Sequence, residues 1–243
     1  NYIMPGENTY EPIIAHGTVD SFEEYVVEKI ARYRDYSIDD LCVKLDVNSK
    51  RRPKNLGAIL VYRMLGIKGN HAEEFEKANI VVKTIRVGKN NKIKESMSFP
   101  TFKFKELIQE EWEDCAFGNY LRETRFLFVV YKFDENDVLR LKGCQFWNIP
   151  YDDLEIEVKS VWNETKRVLQ EGLQVTVVNG KNFNNFPKAS DNRVSHVRPH
   201  AQNSKDTYEL PDGRQYPKQC FWLNNTYILS QLDEDFLKEY KIF

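Results

Sequence analysis

Cysteine and histidine are scarce in this chain, which has four of each among its 243 residues. The cysteines lie far apart and show no CxxC or mixed Cys/His spacing, so we expect buried free thiols of a cytoplasmic protein rather than a zinc site or disulfides. No apolar run approaches the ~18 residues of a membrane span, and residues 1–20 do not resemble a signal peptide. The sequence therefore favours neither a membrane protein nor a secreted scaffold.

A large net charge is also missing, because 35 basic residues nearly balance 37 acidic ones. The charges are nevertheless segregated along the chain. Basic residues cluster in three segments: Lys50, Arg51, Arg52 and Lys54; Lys77, Lys83, Arg86, Lys89, Lys92 and Lys94; and Arg193, His196, Arg198, His200 and Lys205. A single basic run is usually a solvated face, whereas three runs that meet in the fold would form a surface for a polyanion.

What the chain does have is enough apolar sequence for a sizeable core, since 41% of its residues are hydrophobic. This length and composition predict one large domain or two closely joined small ones. The first residue, Asn1, is not a start methionine. We therefore expect a piece of a longer protein, and favour its C-terminal half.

Local patterns predict a mixed α/β protein, with helices early in the chain and strands in the middle. Serine N-caps at Ser21 and Ser37 and a proline at Pro53 predict three helix starts. Strands are predicted at residues 79–87 and 125–133, and again at 173–178 and 221–223. Helices are predicted at residues 152–172 and 227–236. Residues 179–206 show almost no core pattern, so we expect a long functional or disordered loop there.

The stretch from Lys54 to Val87 carries the most specific motif. An apolar helix ending at Leu65-Gly66 is followed by a polar loop, then Glu74-Phe75, then a strand finishing Val81-Val82-Lys83-Thr84-Ile85. This arrangement resembles the MutH mismatch-repair endonuclease and the related GATC-cutting restriction endonucleases. Their signature is a helix with an inward Glu, then Asp-Phe, then a strand Glu-Leu-Lys-Thr-Ile.

The chemistry of that family explains the pattern. Two carboxylates on adjacent elements hold Mg²⁺, which prefers oxygen ligands. The strand lysine follows its acid by two residues and so lies on the same face of the strand. There it polarises the attacking water or contacts the phosphate while the metal stabilises charge.

Two later segments extend the resemblance over roughly residues 20–236. His196-Val197-Arg198-Pro199-His200 and the residues up to Lys205 are similar to the family's Arg-Pro-Lys loop, which enters the DNA groove at GATC. Gln219 to Tyr227 is similar to the family's terminal Gly-Phe-Tyr-Leu-Lys-Lys-Asn-Phe segment. One such match would be weak evidence, but three in the same order are specific.

The departures from the family pattern are equally informative. The family's helix Glu falls on Tyr62, its Asp on Glu74 and its strand Glu on Val81, while Lys83 alone is kept. An isopropyl group cannot ligate Mg²⁺, and a phenol with a reference pKa of about 10 is a poor carboxylate. We expect Tyr62 and Val81 to be core residues now. Glu74 remains only a weak metal candidate, and no catalytic set is intact.

The resemblance implies a restriction-endonuclease-like fold, with a mixed β-sheet flanked by helices and two lobes around a DNA cleft. Residues 1–20 would be an N-terminal extension, 21–236 a MutH-like DNA-binding domain with a lobe boundary near 145–155, and 237–243 a tail. DNA contacts are expected from Arg51, Arg52, Lys54, Lys83, Arg86, Arg198, Pro199, His200, Lys205 and Trp222. His200 replaces the family's lysine.

The resulting interpretation is a catalytically inactive, second MutH-like domain of a type II restriction endonuclease. It would bind duplex DNA containing GATC and activate a catalytic domain upstream in the same chain. The domain itself would need no cofactor, while the parent enzyme would need Mg²⁺. Trp222 would be a strand aromatic with one exposed edge or, less favoured, a platform on which a base stacks.

Two other functions remain open. The chain could be an active nuclease that recruits Glu73, Glu74 or Glu76, or a protein-interaction module with a lapsed nuclease fold.

A second sequence, Glu157-Val158-Lys159, also matches the ExK pattern of the nuclease motif. It lies within a helical pattern, where Glu157 and Lys159 point to different faces.

Overall fold

A computed structural model describes residues 10–14, 20–48, 53–178 and 181–238. Its α-helices are α1 (Phe22–Ala31), α2 (Ile38–Lys44), α3 (Leu56–Met64), α4 (Glu73–Lys77), α5 (Phe104–Leu107), α6 (Ala116–Glu123), α7 (Lys159–Glu171) and α8 (Asn225–Ser230). Its strands are β1 (Ile80–Val87), β2 (Met97–Phe102), β3 (Arg125–Phe133), β4 (Leu139–Trp147), β5 (Val175–Val178), β6 (Lys181–Asn184), β7 (Ser195–Pro199), β8 (Thr207–Glu209), β9 (Gln215–Pro217) and β10 (Gln219–Leu223). A π-helix spans Asp153–Val158 and a 3₁₀-helix spans Glu234–Phe236. The predicted α/β class is confirmed.

Two compact units share these elements. Of the described residues, those between 10 and 94, 124–148 and 232–238 form unit 1, and those between 95 and 123 and between 149 and 231 form unit 2. No helix within the described ranges is both long and apolar enough to cross a membrane. All four cysteines are buried free thiols, as predicted.

Unit 1 is built on the mixed three-stranded sheet β1-β3-β4. Strand β1 pairs parallel to β3, and β3 pairs antiparallel to β4. Strand β3 is buried along nearly its whole length, which matches its continuous apolar sequence. Leu127, Val129 and Tyr131 join a core that includes Leu60 and Val61 of α3. Each such side chain contributes about 1.5–3 kcal/mol by leaving water.

The helix ends in unit 1 follow the local signals. The Ser21 hydroxyl accepts from the Glu24 amide at the start of α1. A reciprocal capping box forms between Ser37 and Asp40 at the start of α2. Helix α3 ends before Gly66, whose φ of +90° is a conformation that a residue with a Cβ rarely adopts.

Unit 2 contains the antiparallel sheet β2-β10-β7 and two small hairpins, β5-β6 and β8-β9. The expectation of a coreless loop at 179–206 is wrong, because Phe186, Val194 and Val197 are buried and β6 and β7 are strands. Single inward residues separated by polar ones carry the packing here. Such a pattern is too sparse for a periodicity argument.

Two predicted helices are also more complex than expected. The helix predicted at residues 152–172 opens as a π-helix before it continues as α7. The one predicted at 227–236 is split into α8 and the 3₁₀-helix. The π-helix carries the buried carboxylate of Asp153, which accepts from the Tyr227 hydroxyl at 2.7 Å and pairs with Arg193. π-Helical turns are rare and occur mostly as single-turn bulges within α-helices.

Candidate functional site

The four positions of the expected catalytic centre lie on adjacent elements of unit 1. Tyr62 is on α3, Glu74 on α4, and Val81 and Lys83 are on β1. Helices α3 and α4 both pack against β1. Each of the four residues is half-buried, so the prediction that Tyr62 and Val81 are core residues overstates their burial.

Tyr62 forms part of an aromatic cluster. Its ring lies 6.1 Å from that of Phe75, which in turn contacts Phe22 edge-on at 6.2 Å. Burial, assisted by the charge of Glu76, raises the pKa of Tyr62 above its ordinary value. The phenol therefore stays neutral at physiological pH and packs where a metal-binding carboxylate is expected.

Glu74 holds the main chain of the segment that precedes α1. Its Oε2 accepts from the Ile13 amide at 2.9 Å, and its Oε1 accepts from the Ile14 amide at 3.0 Å. The Ile13 side chain is only 4% exposed and belongs to the core of unit 1. Both carboxylate oxygens of Glu74 thus serve a structural role.

Lys83, the expected counterpart of the family lysine, lies on β1. Desolvation lowers the pKa of Lys83 below its ordinary value. Neighbouring Arg86, on the same strand, is exposed.

This donor set does not fit Mg²⁺, which takes about six oxygen ligands. It offers a neutral phenol, an isopropyl group and one carboxylate whose two oxygens accept backbone amides. Within the described ranges, no group of three or more His, Cys, Asp or Glu side chains is placed to hold a metal ion. We derive no metal-dependent step from these residues.

The acids named as alternatives are engaged elsewhere. Glu73 pairs with Lys77 at 2.5 Å, and Glu76 lies 3.4 Å from His71. The two charged residues of the Glu157-Val158-Lys159 match have different partners, because Glu157 contacts Arg193 while Lys159 contacts Glu113, both at 3.0 Å.

The second candidate site lies in unit 2, where Arg198 sits against Trp222. The guanidinium carbon is 4.2 Å from the centroid of the Trp222 ring, and the indole Nε1 donates to the Arg198 carbonyl at 3.3 Å. His200 contacts the same ring edge-on at 5.3 Å. Arg198 is exposed, whereas Trp222 is half-buried on β10, as predicted for a strand aromatic.

The expected recognition loop is only partly a loop. Residues 195–199 form β7, which pairs with β10 so that His196 lies opposite Trp222 and Arg198 opposite Cys220. Arg198 and His196 therefore lie on the same face of the strand. A paired strand, rather than a mobile loop, orients the Arg198 side chain.

A buried amide network stabilises this strand. Asn224, 3% exposed, contacts His196 Nδ1 through its Oδ1 at 2.5 Å and donates from Nδ2 to the Asn192 carbonyl at 2.7 Å. Desolvation lowers the pKa of His196, although the Asn224 bond opposes the shift. The imidazole is thus held neutral, with its ring stacked 6.3 Å from that of Trp222.

The other predicted DNA contacts divide by exposure and by unit. Lys54 of unit 1 is exposed, as are Pro199, His200 and Lys205 of unit 2. Arg51 and Arg52 lie outside the described residues. Sequence reasoning missed Ile13, Asn192 and Asn224, which make the structural contacts at the two sites. Asn224 falls within the Gln219–Tyr227 segment, but nothing in that match marks its role, and no periodic or motif signal marks Ile13 or Asn192.

Comparison with known proteins places a type II restriction enzyme among the relatives of this chain. That relative is Sau3AI of Staphylococcus aureus, with 37% identity over 254 residues. The alignment covers 88% of this chain and 52% of the relative, so the chain spans about half the length of the curated relative it matches. No protein-family model matches the chain. The similarity supports the predicted relation to restriction endonucleases, which are DNA-binding nucleases.

Proposed function

We propose that this chain is a catalytically inactive, MutH-like DNA-binding domain of a type II restriction endonuclease that recognises GATC. It would have a restriction-endonuclease-like fold and act as an effector for a catalytic domain upstream in the same chain. The observation that carries the proposal is a contrast between its two sites. The expected catalytic centre has no carboxylate at Tyr62 or Val81, while Arg198 is presented on an ordered aromatic support.

The proposed lack of nuclease activity is supported by the side chains found in the expected catalytic centre. Tyr62 packs against Phe75, Val81 offers no ligand, and Glu74 accepts two backbone amides. Any metal ion at Glu74 would compete with these hydrogen bonds. The parent enzyme would bind Mg²⁺ elsewhere, in its catalytic domain.

Sequence-specific recognition of DNA is supported by the geometry around Arg198. A guanidinium can donate two parallel hydrogen bonds to O6 and N7 of guanine in the major groove. Stacking on Trp222 limits the conformations that Arg198 explores, which lowers the entropy lost on binding. Exposed His200 and Lys205 lie in the following residues and would contact phosphates.

The effector role is supported by the length comparison. A chain that matches about half of a restriction enzyme leaves room for a separate catalytic part. In the complete enzyme, Arg198→Ala should then slow cleavage of plasmids with two GATC sites more than cleavage of plasmids with one. Equal slowing of both substrates would remove the second-site role.

Inactivity is tested by incubating the purified chain with supercoiled GATC plasmid and Mg²⁺ or Mn²⁺. We expect no nicking above the metal-free control. Metal-dependent nicking that disappears in Glu74→Ala would instead establish the active-nuclease alternative.

Sequence-specific recognition of DNA is tested by competition binding to GATC and scrambled duplexes at about 50 and 200 mM salt. Arg198→Ala should cost about 1–3 kcal/mol on the GATC duplex and little on the scrambled one. Arg167→Ala is the matched control, because it removes an exposed arginine that pairs with Glu164 and Glu171 on α7. Equal losses on both duplexes would reduce Arg198 to a phosphate contact, and no binding at low salt would favour an interaction module.

A further inference from the structure

The side chain of Glu11 occupies a small anion-binding cradle made by the main chain. Its Oε1 accepts from the Gly69 amide at 2.5 Å and its Oε2 accepts from the Lys68 amide at 3.0 Å. Two successive N–H groups that converge on one anion form a nest, the arrangement that binds phosphate in many proteins. Here the bound anion is supplied by the chain itself.

Glycine at position 69 points to the same cradle. A Cβ built on Gly69 would lie 3.1 Å from Glu11 Oε1, so that the carboxylate would have to shift by a few tenths of an ångström. The φ of Gly69 is not in the left-handed region, so the backbone conformation does not require glycine. The close approach of an oxyanion is what a side chain there would disturb.

Two cationic residues, Arg63 and Lys68, lie at the cradle. Arg63 donates from Nη1 to the carbonyls of Ile67 and Gly69, each at 2.8 Å, and so braces the loop. The Lys68 side chain is exposed beside it. The amides of Lys68 and Gly69, followed by the charges of Arg63 and Lys68, lower the pKa of Glu11.

We propose that the Lys68–Gly69 amides form a phosphate-binding site that Glu11 occupies as an internal competitor. A phosphate group presents the same pair of oxygens as a carboxylate and carries at least as much charge. The ligand is inorganic phosphate or a phosphodiester of DNA, and the DNA case rests on the proposed function.

Replacement of the Glu11 carboxylate by a phosphate requires movement of the Glu11 side chain only. The segment around it stays attached, because Glu74 holds the Ile13 and Ile14 amides and the Glu73 amide donates to the Glu11 carbonyl at 3.0 Å. Glu11 itself is half-buried at the protein surface. If it occupies the nest about nine-tenths of the time, the apparent affinity for phosphate falls about tenfold.

The site is tested by titrating inorganic phosphate into isotope-labelled protein and following the amide signals of Lys68 and Gly69. Glu11→Ala should show saturable shifts with an apparent Kd about tenfold lower than that of the wild type. Glu73→Ala is the matched control, because it removes one acid from the same region while the nest stays occupied. Adding Gly69→Ala to Glu11→Ala should abolish the shifts.

The proposal is overturned if Glu11→Ala shows no saturable shift or behaves like Glu73→Ala. Glu11→Gln, which keeps one acceptor and loses the charge, replaces Glu11→Ala if the latter misfolds. It should bind phosphate with intermediate affinity, and wild-type behaviour of a folded Glu11→Gln would also overturn the proposal.

A second arm distinguishes the source of the phosphate. On a scrambled duplex, Glu11→Ala should bind more tightly than Glu73→Ala, with a salt slope steeper by about one phosphate contact. Phosphate shifts without this gain establish the nest as a site for free phosphate. A wild type that binds no duplex refutes the proposed function and leaves the nest to be decided by the phosphate titration.

Discussion

The expected catalytic centre of unit 1 and the Arg198 strand of unit 2 differ in how their polar groups are held. In the expected catalytic centre, both carboxylate oxygens of Glu74 accept backbone amides and Tyr62 packs on Phe75. Around Arg198, by contrast, Asn224 and Asn192 form a buried network that supports an exposed cation. In one region the carboxylate is bound by the backbone, and in the other an ordered strand presents an exposed cation.

A physical reason underlies this difference. Carboxylates gathered at one site repel one another when no metal ion is bound, so such a cluster is costly to stability. Tyr62 and Val81 are uncharged near neutral pH and add no such repulsion to Glu74. Arg198 has no such cost either, since it is exposed and lies against Trp222.

The largest effect should come from breaking the network of unit 2 with Asn224→Ala. The substitution leaves the Asn192 carbonyl and His196 Nδ1 without their buried partner. We expect the free energy of unfolding to fall by about 3 kcal/mol, measured by urea denaturation. Exposed Thr226→Ala is the control, and a loss no larger than that of the control would show that the network does not stabilise the strand.

A somewhat smaller effect should follow from Gly57→Ala, which tests how tightly α3 packs on β1 beside the expected catalytic centre. The added Cβ would lie 2.9 Å from Thr84 Cγ2. Overpacking of this kind costs about 1–3 kcal/mol. Thr84→Ala in the same chain should recover part of the loss, and failure to recover any would place the strain elsewhere.

Glu74→Gln tests whether the remaining acid is structural. Glutamine keeps a single carbonyl acceptor, so one of the two amide bonds to Ile13 and Ile14 is lost, at about 1 kcal/mol. Amide exchange at those two residues should accelerate, whereas Glu73→Gln should leave it unchanged. Unaltered exchange in Glu74→Gln would contradict the structural role.

The smallest effect concerns pH. Because the pKa of His196 is lowered in the folded state, the unfolded chain binds more protons below its ordinary pKa of about 6.5. Stability should therefore decline as pH falls from about 7.5 to 5.5, and more so than in His196→Asn, which keeps a donor and does not titrate there. If the urea midpoints of the two proteins changed equally across this pH range, His196 would not be the group responsible.

Sequence reasoning succeeded where the determining signal is local. The caps at Ser21 and Ser37 and the apolar run of β3 each predict their element from a few neighbouring residues. It failed at residues 179–206, where β7 is held by pairing with β10 and by Asn224, both distant in the chain. The π-helix at Asp153 was missed for the same reason, because its partners Arg193 and Tyr227 are remote.

For the candidate sites, the amino-acid identities alone determined which of the four expected positions can bind a metal ion, since neither Val81 nor neutral Tyr62 can replace a carboxylate. The tertiary structure decided what the remaining groups do. It assigns Glu74 to the Ile13 and Ile14 amides, Arg198 to the face of Trp222 and Glu11 to the Lys68–Gly69 amides. The chemistry of a side chain follows from the residue type. Its hydrogen-bond partners, in contrast, lie on segments that only folding brings within about 3 Å.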